Sequence, residues 1–377
     1  MSLPPREISL GAMRFNSDSQ KLEYFNGDVW MQVNTFSPNL GGNGGPAANP
    51  TGNSADYVSG ARGVFGGSYT YTGPYDKTNI IDYITITTAG NAIDFGDLTE
   101  TRGVGGAGAS RTRGLFCGGN INPNAAKTSV TVDYVTISST GNAVDYGDLT
   151  VKGGHGIATM SNQTRLVCAG RNTQDPSSYP GSDVNTIDYT TIASTGDFKD
   201  FGDLVDATGA SAPIYGVSGC SNAIRGIISG GDEGPAYDNT MKFITIPTLG
   251  NSTDFGEATV SKSGPGACSS STRGLIGGGS GPNPSQNVID SIQIATLGNA
   301  VKFGELNFAA SERFPGCTSN CIRGIWAGGY GPAPTYTVSN PIDYVSIATE
   351  GDSVDFGDLV AAAAHHQGFS NGHGGLG

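Results

Sequence analysis

Two kinds of charged residue recur six times at fixed places in this chain, and neither arrangement makes a catalytic centre. Arg62, Arg113, Arg165, Arg225, Arg273 and Arg323 each open a short glycine-bounded run, while Asp97, Asp148, Asp203, Glu257, Glu305 and Asp358 each stand two residues after an aromatic. General acid–base chemistry needs one cluster in one cleft, not six equivalent copies. The pattern predicts structural pairing of arginine with acid between strands or repeats, each surface pair worth about 0–1 kcal/mol.

The rarer residues point the same way. Of the four histidines, His155, His365, His366 and His373, the last three are the set able to converge for a metal. Imidazole is a good ligand, but this spacing matches no ligand motif, so no metal or other cofactor is expected. Cys117 and Cys168 share one strand position by this reading, and Cys220, Cys268 and Cys317 roughly another. Equivalent side chains in successive repeats point alike, which predicts buried free thiols rather than disulfides. Cys317 and Cys321 form the one close pair, a weak zinc signal alone. No nucleophile elbow with a histidine partner, phosphate loop or His-Glu-x-x-His appears, and no paired-carboxylate cluster suits glycoside hydrolysis. The chain is not expected to be an enzyme.

The elements that carry these residues form a repeat. The six arginines are 51, 52, 60, 48 and 50 residues apart. A period near ~50 marks a propeller or solenoid. Each copy holds a glycine-bounded aliphatic run such as Gly63 to Gly67, then a β-branched and aromatic run such as Ile81 to Ile86. Both read as strands, and bulky groups on both faces of the second imply burial between two sheets. Next comes Gly90, Gly141, Gly196, Gly250, Gly298 or Gly351, always followed by Asn or Asp, as a tight turn. A third strand ends at Phe95-Gly96-Asp97-Leu98 or its equivalent, and a Gly/Ser-rich fourth suits the crowded axis. Four strands in six units predict an all-β fold, a six-bladed β-propeller. Gly368 to Gly375 echoes the fourth strand with no blade after it, so it should join Gly63 to Gly67 and close the ring.

Length changes are confined. The Ile81-to-Phe95 distance is 14 in every copy, whereas the double-glycine-to-Ile distance runs from 10 to 17 and the Leu98-to-arginine distance from 15 to 21. In an up-down blade both variable connections fall on one face, where recognition usually sits. Seven tyrosines belong to the first of them: Tyr69, Tyr71, Tyr75, Tyr179, Tyr237, Tyr330 and Tyr336. Tyrosine offers an apolar face and a polar tip, suited to carbohydrate or protein surfaces, and equally able to pin loops down.

Three segments follow: a β-meander over 1–36, a Gly/Pro/Asn-rich linker over 37–55 and the propeller over 56–377. About 34 residues rarely bury a core alone, so Phe15, Tyr24 and Trp30 are expected to dock on a partner. Residues 1–55 hold three basic and four acidic side chains, so nearly all of the net −13 lies on the propeller. That acidity disfavours nucleic acid. The first ten residues lack an apolar signal run, and no stretch nears the ~20 apolar residues of a membrane span. A soluble protein made in a cytoplasm is expected.

The meander, through Gly11, Arg14, Phe15, Asn16, Glu23, Phe25, Gly27 and Trp30, resembles a short module found near the ends of tailed-bacteriophage virion proteins. The strand ending in Gly-Gly, the loop and the following Asp-Tyr resemble the kelch repeat, although the kelch tryptophan after the tyrosine is missing. Copies of Gly-Asn-Ala-x-Asp-Phe-Gly-Asp-Leu look like kelch-like proteins of marine phages, cyanophages especially. Nothing marks the His, Tyr and Cys set of a galactose-oxidase-like copper site. The resemblance implies a virion protein, a tail fibre or tail-tip component: residues 1–36 meet other virion proteins, and the variable face meets host-surface glycan or protein. Homo-oligomers on the particle are expected. The alternative is a head or tail decoration protein without host binding, and the lesser one a polysaccharide-acting enzyme.

Overall fold

The computed structural model describes residues 12–16, 21–25, 28, 30–32, 61–70, 76–103, 105–121, 128–154, 156–173, 182–233, 236–281, 287–307, 314–331 and 337–376. Strands Met13–Asn16, Lys21–Phe25 and Trp30–Gln32 form an antiparallel meander. Trp30 packs its ring on Phe25 at 5.5 Å and under the Arg14 guanidinium at 4.2 Å. The side chains of Phe15 and Tyr24, and the linker over 37–55, lie outside the described residues.

The rest is a six-bladed β-propeller of antiparallel four-stranded sheets. In the third blade the strands from axis to rim are Ala158–Ser161, Arg165–Thr173, Ser182–Thr191 and Lys199–Asp203. The Gly/Ser-rich strands are innermost and touch one another around the axis. The expected closure is present: Gln367–Ser370 pairs with Arg62–Tyr69 in the register Gln367↔Gly66 to Ser370↔Gly63. The first blade thus takes its inner strand from the end of the chain, and no sheet edge is left open at the seam. Among the described residues, six of the seven apolar clusters span two blades; one joins Val64, Ile81 and Phe95 of the first to Phe116, Val135 and Ile137 of the second.

The repeated arginines do not pair with the repeated acids. Each Nη1 donates to a backbone carbonyl one blade on: Arg62 to Ile137, Arg113 to Ile192, Arg165 to Ile246, Arg225 to Ile294, Arg273 to Ile347, and Arg323 back to Ile86. The guanidinium meanwhile lies on its own blade's aromatic ring, Tyr83 for Arg62 and Tyr134 for Arg113. A planar, weakly hydrated cation can stack through its face and donate through its edge at once. The acids contribute their backbone instead. The Asn or Asp after each turn glycine accepts the acid's N–H from the preceding blade, as Asn142 does for Asp97 and Asn91 for Asp358.

The turn glycine also bonds to that blade: Gly141 N–H to the Phe95 carbonyl, Gly298 to Phe255, Gly90 to Phe356. This approach explains the glycine of Phe-Gly-Asp. A Cβ on Gly256 would lie 2.5 Å from the Gly298 carbonyl oxygen, with φ at +141°. Gly298 has a similar φ of +148° but open space around it.

Cysteine placement corrects the reading from spacing. Cys117 pairs with Val132 and Cys168 with Asp188, one register step apart, so their side chains face opposite ways in successive sheets and the two thiols meet between blades. All six cysteines are nonetheless free thiols.

Two outcomes test this description. Gly256→Ala should cost about 2–4 kcal/mol, because strain and collision add, whereas Gly298→Ala should cost about 1 kcal/mol from backbone strain alone. Thermal melts of both variants give the comparison. Removing residues 366–377 should bare the edge of Arg62–Tyr69 and leave a chain that aggregates on size-exclusion chromatography.

Candidate functional site

With the strands of each blade counted outward from the axis, alternation puts the loops between the second and third strands and the blade-to-blade connections on one rim, and the turns before each arginine and at each Gly-Asn or Gly-Asp on the other. All the length variation therefore opens on the loop rim. The turn rim is uniform: Asn162, Asn222 and Asn320 accept the N–H of Arg165, Arg225 and Arg323, a role Ser110 and Ser270 fill for Arg113 and Arg273.

Of the seven tyrosines, Tyr71, Tyr75, Tyr179 and Tyr336 lie outside the described residues. Tyr237, in the short strand Ala236–Tyr237 paired to Asp232 and Glu233, is half-buried at the loop rim. Tyr69 and Tyr330 were expected in loops, and this is corrected. They end the strands Arg62–Tyr69 and Arg323–Tyr330 and are buried, 3% and 6% exposed. The strand does not stop at its double glycine but runs on through a bulge at Gly67 or Gly328, both at positive φ, which turns the next side chains inward. Both tyrosines wall in His365, at ring distances of 4.7 and 4.8 Å, and Phe314 stacks on it at 4.2 Å. Asn120 donates to the Tyr69 hydroxyl at 2.8 Å. These two rings are therefore core of the rim, not contact surface.

The three C-terminal histidines do not converge. His365 sits in this aromatic box at the loop-rim end of Gln367–Ser370, while His373 lies past its other end. His366 is edge-on to Phe65 at 5.8 Å. His373 Nδ1 accepts the Gly375 N–H at 3.1 Å, so Nε2 holds the proton and donates to the Ala109 carbonyl at 2.8 Å. Leu376 completes this tail with its carbonyl on Arg111 Nη2 at 2.6 Å. Among the described residues, no three His, Cys, Asp or Glu side chains gather as a metal set.

Along the axis runs a cavity of about 60 Å³ lined by the inner strands, among them Thr159, Ser218, Ala267, Cys317 and Gln367. A chain of hydroxyls clasps those strands near the turn rim. Ser221 Oγ accepts the Ser161 N–H and donates to the Ser161 carbonyl, Ser269 does the same to Ser221, and Ser319 to Ser269. Ala109 occupies the equivalent place in the second blade, and there the His373 imidazole contacts Ser161 Oγ and the Ala109 carbonyl.

No protein-family model and no curated protein matches this chain. Its chemistry must be read from its own side chains.

Charge buried between blades escaped the sequence reading. Arg102 Nη2 meets Asp133 Oδ2 at 3.0 Å, Arg171 forks onto both oxygens of Asp188 at 2.5 and 3.1 Å, and Lys262 Nζ meets Asp290 Oδ2 at 3.0 Å. All six side chains are fully buried. The available signal was the aspartate after each strand's buried aliphatic residue, but its cation comes from a blade-to-blade connection in the second and fifth blades and from the strand Arg165–Thr173 in the third. All three pairs are shut away from solvent and tie neighbouring elements together. Arg102→Met strands Asp133 in an apolar site and should cost about 3–5 kcal/mol, whereas changing Arg102 and Asp133 together to Met and Leu should restore most of the loss; a double-mutant cycle in urea measures both.

Burial holds His366 and His373 at about 4, below the ordinary 6.5. The unfolded chain takes up those protons first as pH falls, so folding loses stability from about pH 6.5 down to 4. Asp82, pushed up to about 6 chiefly by burial, has the opposite sign: the folded state protonates first and is relieved as pH drops through 6. His373→Gln keeps a donor for Ala109 without the titration. Its Tm should fall less steeply than that of the parent between pH 6.5 and 4.5, read by thermal melts at constant ionic strength.

Proposed function

We propose that the chain is a non-enzymatic binding protein of a tailed-phage virion, a tail-fibre or tail-tip component. In this reading residues 1–36 dock on other virion proteins, and the propeller displays its loop rim to a host-surface glycan or protein. One observation carries it: a ring uniform in its blade contacts and its turn rim concentrates every length change on the opposite rim. A scaffold that varies at a single rim presents a single contact surface. The resemblance of the meander and of the repeat to phage virion proteins supplies the setting. Acidity of the propeller supports a partner other than nucleic acid, and among the described residues no helix is long and apolar enough to cross a membrane.

The experiment uses the full chain, fluorescently labelled, on a panel of bacterial strains. Binding to a subset of strains is expected, weakened about tenfold or more by Tyr237→Ala on the loop rim, in line with loss of an aromatic anchor. A turn-rim change such as Leu249→Ser should leave it intact. Absence of binding to every strain, with the protein found in a regular lattice on particles, would instead identify a decoration protein.

A further inference from the structure

Five blades carry an aspartate after the buried aliphatic residue of their third strand: Asp82, Asp133, Asp188, Asp290 and Asp343, with Lys242 in the fourth blade. All five are buried. The chain answers three with a buried cation, Arg102, Arg171 and Lys262. Asp343 Oδ2 accepts the Ser353 hydroxyl at 2.7 Å and the Asn307 N–H at 3.1 Å. The three aspartates that have a cation also accept a threonine hydroxyl from within or just past the preceding blade's outer strand, Thr99, Thr150 or Thr259.

The first blade lacks the cation and the hydroxyls, and keeps only the backbone N–H. Arg102 and Lys262 stand seven residues after the outer-strand aromatic, and the counterpart for Asp82 is Ala363. Arg171 stands six residues after the repeat arginine, and the counterpart is Ser68. Where the threonines stand there is Val360, which offers Asp82 only a backbone N–H. Asp82 Oδ1 is buried with no hydrogen-bond partner, and the residue is 8% exposed. Beside it is a cavity of about 20 Å³, lined by Ser68, Thr78, Asp82, Ala363 and His366 among others. The shortened side chains have left the space that a lysine or arginine takes up elsewhere.

We propose that this cavity binds a monovalent inorganic cation, sodium or potassium, which does for Asp82 what Arg102, Arg171 and Lys262 do for their aspartates. The volume suits one water-sized particle. Its donors are hard: a carboxylate oxygen and the hydroxyls of Ser68 and Thr78, 3.0 Å apart. The His366 imidazole, neutral at physiological pH, lines the same cavity and adds no competing charge. The deficit is one charge, as in the three blades where the chain fills it. A divalent ion would need more anionic oxygen than one carboxylate supplies, and the nearest second acid, Asp94, acts on Asp82 only through its field.

Thermal melts of the full chain at pH 8, where Asp82 is ionised, test this in sodium, potassium and choline chloride at equal ionic strength. The expected Tm is higher in sodium or potassium than in choline by about 2–4 °C. Asp82→Asn should abolish that gap. Ala363→Lys, which places an ammonium where Lys262 stands in the fifth blade, should abolish it too and keep the higher Tm in choline. Equal Tm in all three salts overturns the proposal, as does a gap that survives in Asp82→Asn or, should that variant not fold, in Ala363→Lys.

Discussion

The fold depends on one contact made six times, the docking of a third-strand turn on the outer strand of the preceding blade. A turn glycine donates to the Phe or Tyr carbonyl, and the Asn or Asp beside it accepts the N–H of the acid on that same preceding blade. Such directional bonds fix the angle between neighbouring sheets, which apolar packing alone does not. The cycle of arginines from Arg62 to Arg323 sets the same angle from the turn rim. With the angle fixed at every junction, six blades complete the circle.

Glycine abundance follows from that geometry. Sixty glycines in 377 residues would suit a disordered chain by composition. Here they serve where two backbones meet, as at Gly256 against Gly298, or where a ring presses on a sheet, as Phe369 does on Gly114. The hydrophobic share stays modest because blade junctions use hydrogen bonds, stacked guanidinium groups and buried ion pairs alongside aliphatic side chains.

Much of the architecture was legible because it is periodic. The 14-residue step from Ile81 to Phe95 recurs unchanged, so strand, turn and strand could be placed before any coordinate. The closing strand was legible for the same reason, since Gly368 to Gly375 repeats a phrase with a missing sequel. What depended on three-dimensional proximity was not legible. Arginine partners were carbonyls, which no sequence marks. Tyr69 and Tyr330 turned inward because a bulge carried the strand past its double glycine. Cys117 and Cys168 differed by one register step, enough to bring them face to face. Buried cations came from a blade-to-blade connection at Arg102 and Lys262 but from a strand at Arg171, so their positions do not align as a motif.

The seam has a consequence for how the protein is made. Arg62 and Asn371, hydrogen-bonded at 2.9 Å in the finished ring, are 309 residues apart. During synthesis the first blade emerges at once but waits, one strand short, until Gln367–Ser370 has left the ribosome. Any transcript cut short anywhere downstream yields a chain with an unpaired edge, the kind of surface that chaperones and proteases detect. The circular arrangement thus doubles as a check that synthesis has passed the closing strand, because only then is the first blade's edge covered.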